Sequence, residues 1–178
     1  IFKLRQEAEA YQLMSMFAAS ERVKHPALEI KRDYGTAGFN TGDYIAFFKG
    51  TTVVTARNKK GANEAMLQVF AEDFSQSTDK GEGDIPVLLK HLPNPEEAQK
   101  NAVYLNSFHS LEIFQQPVLS AIQSDGNADA ALATYGPGKV LLIEFNTPQL
   151  ATDNDQRIIA RIHELWKLGQ PAPTAYRR

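Results

Sequence analysis

The segment Asn40–Arg57, NTGDYIAFFKGTTVVTAR, most narrows the folds open to this chain. NTGD is turn chemistry. YIAFFKG is a short apolar run, rich in aromatic residues and bounded by turn residues, which predicts a buried strand. KGTT supplies a second turn, and TVVTAR runs back beside the first strand as a hairpin. Strands joined by so short a turn are antiparallel neighbours, because a parallel pair needs a crossover of roughly a dozen residues or more.

The rest of the chain supplies helices and a second hairpin. Phe2 to Leu4 reads as a short strand. Ala10, Leu13, Met14, Phe17 and Ala18 recur at helical spacing and predict a helix over Gln6–Ser20. Pro26 then disfavours helical backbone at His25. LEIKRDYGTAGF, before the hairpin, alternates imperfectly as a strand. After it, Ala65, Met66, Val69, Phe70 and Phe74 predict the inner face of a second helix. SQSTDKGEGD is a polar loop. IPVLLKHLP reads as a short apolar helix, and in NPEEAQKN Asn94 is placed to cap a helix, with Pro95 in its first turn and Glu97 at capping-box spacing. AVYLNSFHSLEIF reads as a strand followed by an apolar connection. AALATYG and KVLLIEF form the second hairpin around GPGK. A long helix follows from Pro148 to Leu168, capped by Thr147 and stopped by Gly169, with Ile158, Ile162, Leu165 and Trp166 turned inward and Ile159 in support. Alternation along KVLLIEF places Leu141, Ile143 and Phe145 on the face toward the helices, with Val140, Leu142 and Glu144 opposite.

These elements predict an α+β fold: a mostly antiparallel sheet with helices packed on one face, built from two hairpin-plus-helix units, Tyr44–Phe74 and Ala131–Leu168. The two units barely match in sequence. At 178 residues the chain suits a single domain over 1–178, with two pseudo-related halves, 1–80 and 100–178 joined by 81–99, as the variant organisation. The chain opens at Ile1 and is expected to continue past Arg178, with Tyr176 entering a further strand.

Composition excludes several functions. The 19 basic and 21 acidic residues are well mixed, for a net charge of −2, which argues against a nucleic-acid surface. With no cysteine, disulfides, thiol nucleophiles and cysteine metal sites are excluded, while the compartment stays open. No apolar run approaches the roughly 18 residues of a membrane-spanning helix.

Candidate chemistry is sparse. His25, His91, His109 and His163 show no helical metal-site spacing. Asp125, Asn127 and Asp129 start like a calcium loop, but Ala130 stands where that loop needs glycine and Gly136 where it needs glutamate. Gly138-Lys139 in GPGK lacks the remainder of a phosphate loop and leads into a strand. No G-x-S-x-G elbow is present. Ser107 lies two residues from His109, and sequence adjacency supplies neither contact nor an orienting acid. Glu144, Asp43, Asp84 and His109 would make a carboxylate/histidine cleft if the fold gathered them. Tyr34, Phe39 and Tyr44 flank glycine-rich turns, where they either pack under loops or form a binding lip. Trp166 continues an apolar stripe and is expected in the core.

TGDYIAFFKGTTVV, IPVLLKHLPNPEEAQKNAVYL and ALATYGPGKVLLIEFNTPQLA, in this order, resemble an uncharacterised family of bacterial proteins, a domain of unknown function with P-x-L-L-x-x-L-P and Y-x-T-P-Q-x-A type motifs. Here Phe145 stands for the tyrosine and Asn146 where proline is frequent. The resemblance covers most of the chain and implies export, a periplasmic or secreted setting, and a further strand after the long helix. It carries no catalytic residues over. The resulting expectation is a non-enzymatic extracytoplasmic module that binds a protein partner or a small ligand, with no catalytic, cofactor-binding or metal-ligating set assigned. A small hydrolase with a carboxylate/histidine cleft and an accessory subunit of a larger bacterial assembly are the alternatives.

Overall fold

The computed structural model describes residues 1–58, 64–106, 117–123 and 128–175. In chain order the elements are β1 (Phe2–Lys3), α1 (Glu7–Arg22), β2 (Ala37–Asn40), β3 (Tyr44–Lys49), β4 (Thr52–Arg57), α2 (Glu64–Ser77), a 3-10 turn at Val87–His91, α3 (Pro95–Asn101), β5 (Val103–Leu105), a second 3-10 turn at Pro117–Ala121, β6 (Ala128–Tyr135), β7 (Gly138–Phe145) and α4 (Pro148–Lys167). The fold is α+β, with two antiparallel sheets ordered β1-β4-β3-β2 and β5-β6-β7. No helix among the described residues is long and apolar enough to cross a membrane.

The chain divides into two compact units, Ile1–Tyr104 with Ala131–Leu142, and Leu105–Ala130 with Ile143–Arg178. The division falls within the strands of the second sheet.

The first unit is built around the Asn40–Arg57 hairpin. β3 and β4 pair from Tyr44 opposite Arg57 to Lys49 opposite Thr52. β3 is buried at five successive positions, Tyr44 to Phe48, so both faces of this sheet need cover. Ala46, Phe48 and Val53 join the main core with Tyr11, Met14 and Ala18 of α1. Ile45, Phe47 and Val54 meet Leu67 and Ala71 of α2. Helices therefore cover both faces of the four-stranded sheet, not one, because YIAFF is apolar at every position.

In the second unit, Ile162 and Leu165 of α4 are buried, as are Val118, Leu119 and Ile122. Asn154 anchors this helix. It is fully buried, its amide donates to the carbonyls of Gln123 (2.7 Å) and Leu150 (2.8 Å), and its Oδ1 accepts from the Gln123 N–H (2.7 Å). Thr147 caps α4 as the sequence predicts, accepting from the Leu150 N–H at 3.2 Å, with Pro148 in the first turn.

Four local expectations change. α2 turns Leu67, Ala71 and Phe74 toward the sheet and leaves Ala65, Met66, Val69 and Phe70 exposed, Met66 at 70%. The helix carries two apolar stripes, and the small Ala71 lets the second approach the strands. Trp166 is 55% exposed, and its ring lies 5.6 Å from that of His163. On β7 it is Val140 and Leu142 that pack against the main core, while Leu141 and Ile143 are half-buried. Asn94 precedes α3 in left-handed backbone (φ 43°) without a side-chain cap, and its carbonyl accepts from Glu97 and Ala98 instead. A capping side chain needs extended backbone at that position.

Candidate binding cleft

A cleft of about 700 Å³ opens on the surface of the first unit. Its walls are the loop after α1 from Lys24 to Glu29, the stretch around Lys31, Asp33 and Tyr34, the end of β2 with Thr41, and Gln68 of α2.

Arg22 shapes this wall. As the last residue of α1 it donates from Nε to the Leu28 carbonyl (2.9 Å), from Nη1 to that of Asn101 (2.9 Å) and from Nη2 to that of Lys100 (3.0 Å). Burial lowers its pKa, opposed by Tyr11. The planar fork of a guanidinium can satisfy three carbonyls at once, and here it folds the loop back against the end of α3. The Ile30 N–H adds a bond to the Lys100 carbonyl.

β2 is the edge strand of its sheet. Thr36 and Ala37 both face Phe48, a bulge that sets the direction of the main-chain groups beyond it. Phe39 pairs inward with Ala46, whereas Gly38 points outward and exchanges two hydrogen bonds with Lys31, 2.8 Å each way. Main-chain direction alternates along a strand, so the N–H and C=O of Asn40 also point out of this edge. Asn40 lines the cleft, and among the described residues neither main-chain group makes a backbone hydrogen bond outside the β2–β3 pairing. Its side chain accepts from the Gly42 N–H at 2.7 Å, closing a turn in which Gly42 takes φ 92°.

At the Thr41 end, Arg57 ties a knot. Its Nη2 lies 2.6 Å from Glu21 Oε1, its Nη1 lies 3.8 Å from Asp43 Oδ2, and its guanidinium stands 4.3 Å above the Tyr44 ring. The Glu21 side chain is only 11% exposed. Thr41 donates its hydroxyl to Asp43 at 2.7 Å. That bond holds the Asp43 carboxyl below its usual range against opposing desolvation, with lesser help from the Arg57 and His25 charges. Burial raises the Tyr44 phenol, opposed by Arg57.

Several residues singled out in the sequence meet here. Tyr34 and Phe39 line the cleft, and Tyr44 packs edge-on against Phe39 at 5.5 Å. Phe39 is 1% exposed, so of the three aromatics only Tyr34, half-buried, offers side-chain surface. His25 lines the cleft and Asp43 sits beside it in the Arg57 knot. The remaining candidates are dispersed. Asp84 pairs with Lys90 at 2.8 Å, a contact that lowers its pKa. Glu144 is exposed on β7 and forms no ion pair among the described residues. His91 is exposed at the end of its 3-10 turn, and His163 stacks on Trp166. Gly138-Lys139 begins strand β7, as a hairpin turn requires. Asp129 lies in β6. Asp125, Asn127, Ser107, His109 and Tyr176 lie outside the described residues. Among the described residues no three His, Asp or Glu side chains are placed to hold a metal ion.

Sequence reasoning missed Arg57 and Glu21, 36 positions apart, and Arg22, whose partners are main-chain carbonyls. No local spacing marks either arrangement. The outward edge of Asn40 was in principle accessible, because NTGD fixes where β2 ends. No family model, curated protein or solved structure matches the chain.

Proposed function

We propose that this chain is a non-catalytic binding module that accepts an extended peptide segment in the Lys24–Thr41 cleft, laid along the outer edge of β2. The observation that carries this reading is the outward main-chain pair of Asn40, opening into a cleft of about 700 Å³. Strand addition to an exposed sheet edge draws affinity from main-chain hydrogen bonds and selectivity from flanking side chains. The flanks carry charges of both signs, Lys24, Lys31, Glu29 and Asp33, with Tyr34 as an aromatic wall. An extracytoplasmic setting belongs to the same proposal and rests on the family resemblance.

Selection from a displayed library of random peptides, followed by amide NMR mapping of a selected peptide, tests this. Shifts concentrated at Lys24–Thr41 and Gln68 are expected. Selected peptides that map elsewhere, or a library that yields no binder, would overturn it.

A second reading, a subunit of a larger assembly, is favoured by the apolar stripe of Met66, Val69 and Phe70 on α2, all exposed. Contiguous apolar surface of this kind marks protein contacts. Binding that maps to this stripe and spares the cleft would select it.

A further inference from the structure

A second cavity of the first unit, about 190 Å³, lies on the Tyr11 side of the Ile30–Arg32 stretch and is separate in its chemistry from the peptide cleft. Its floor is apolar, formed by Ile30, Ala37 and Ile85, each nearly inaccessible. Tyr11 of α1 is among the residues that line it. The tyrosine is 1% exposed, and its hydroxyl has no hydrogen-bond partner among the described residues. A buried hydroxyl without a partner is costly, and such a group calls for a physical account, of which a bound molecule is one. Arg32, exposed, stands at the mouth.

We infer that this cavity binds a small aliphatic carboxylate, its oxygens held by the Tyr11 hydroxyl and the Arg32 guanidinium and its hydrocarbon part against Ile30, Ala37 and Ile85. Burial raises the Tyr11 phenol far above its usual range, so it is a neutral donor at every ordinary pH, and the charges of Arg22 and Arg32 both reach it. Arg22 is occupied by three carbonyls. Arg32 forms no ion pair among the described residues. Lys100, also at the cavity, is engaged by Glu97 at 2.9 Å and Glu29 at 3.9 Å. Water could satisfy the hydroxyl, but a cation set over an aliphatic floor suits an anion with an apolar tail. The volume exceeds the roughly 30 Å³ share of one water several-fold. A phosphate would gain nothing from that floor and would bring two charges beside Glu96, which also lines the cavity.

The test titrates sodium butyrate into the protein, followed by NMR, with sodium chloride at equal ionic strength as control and inorganic phosphate as comparator. Saturable shifts around Tyr11, Ile30 and Ile85 are expected, and Tyr11→Phe and Arg32→Gln should each weaken butyrate about tenfold. Tyr11→Phe keeps the ring packed on Phe48 (5.6 Å) and Tyr104 (6.2 Å). Should it fail to fold, Arg32→Gln, at an exposed position, decides alone. Absence of saturable butyrate binding, unchanged affinity in the folded variants, or phosphate binding in place of butyrate would overturn the inference.

Discussion

Lys31 and Gly38 exchange both of their main-chain hydrogen bonds, each 2.8 Å, across the outer edge of β2. This single bridge closes one half of a four-residue edge strand and leaves the other half, at Asn40, open on the cleft. On its other side β2 is pressed tightly onto β3.

Gly38 makes that approach possible. A Cβ at this position would stand 2.5 Å from Phe47 Cβ and 2.6 Å from the Ala46 carbonyl oxygen. Both neighbours belong to the buried central strand and cannot move aside. Gly38→Ala should therefore cost about 1–3 kcal/mol of stability, as overpacking does, read as a lower urea midpoint. It should also displace the amide resonances of Lys31 and Asn40. An unchanged midpoint would mean that β2 lies further from β3.

Arg57→Met should cost about 1–2 kcal/mol. The change leaves Glu21, with its side chain 11% exposed, without its 2.6 Å partner. The half-exposure of Arg57 keeps the figure at the low end. Adding Glu21→Gln to Arg57→Met should restore part of the loss in chemical denaturation, because the stranded charge is then gone. A double variant less stable than Arg57→Met would contradict this account of the knot.

Asp43 and Asp84 both hold their carboxyls below the ordinary value of 3.8. Groups depressed in the folded state contribute stability that is present above the unfolded pKa and lost as pH falls through the folded one. The urea midpoint should accordingly decline as pH drops below about 4. Asp43→Asn and Asp84→Asn should each shallow that decline, the two effects adding because the pairs are separate. A wild-type decline of unchanged slope in both variants would refute the assignment.

Thr147→Ala should cost about 1 kcal/mol through loss of the 3.2 Å cap to the Leu150 N–H. Thr147→Ser should cost far less, since it retains the acceptor. Thermal denaturation of the two variants makes the comparison.

The fold class was legible because its signals are local. The Asn40–Arg57 hairpin, the GPGK turn and the Thr147-Pro148 joint each specify their geometry within a few residues. The faces of α2 were not, because Met66, Val69 and Phe70 form as good an apolar stripe as Leu67, Ala71 and Phe74, and only packing on β3 and β4 decides between them. Trp166 misled for the same reason: helical spacing places it beside Leu165 but says nothing of how wide the buried stripe is. Of the cleft, the sequence marked Tyr34, Phe39, Asp43 and His25 individually. What brings them together is Arg22 and Arg57 acting on partners distant in sequence, which no spacing encodes.

The central claim is that the outward main chain of Asn40 receives a peptide strand. It is tested most directly by the affinity of a library-selected peptide for Asn40→Pro, with Asn40→Ala as control. Proline removes the outward N–H, which lies outside the β2–β3 ladder, and edge positions of this kind tolerate it. Phe39 already has the extended backbone that a following proline demands. A folded Asn40→Pro protein should bind the peptide about tenfold or more weakly, with Asn40→Ala close to the parent. Equal affinity for the parent and the folded proline variant would contradict the claim.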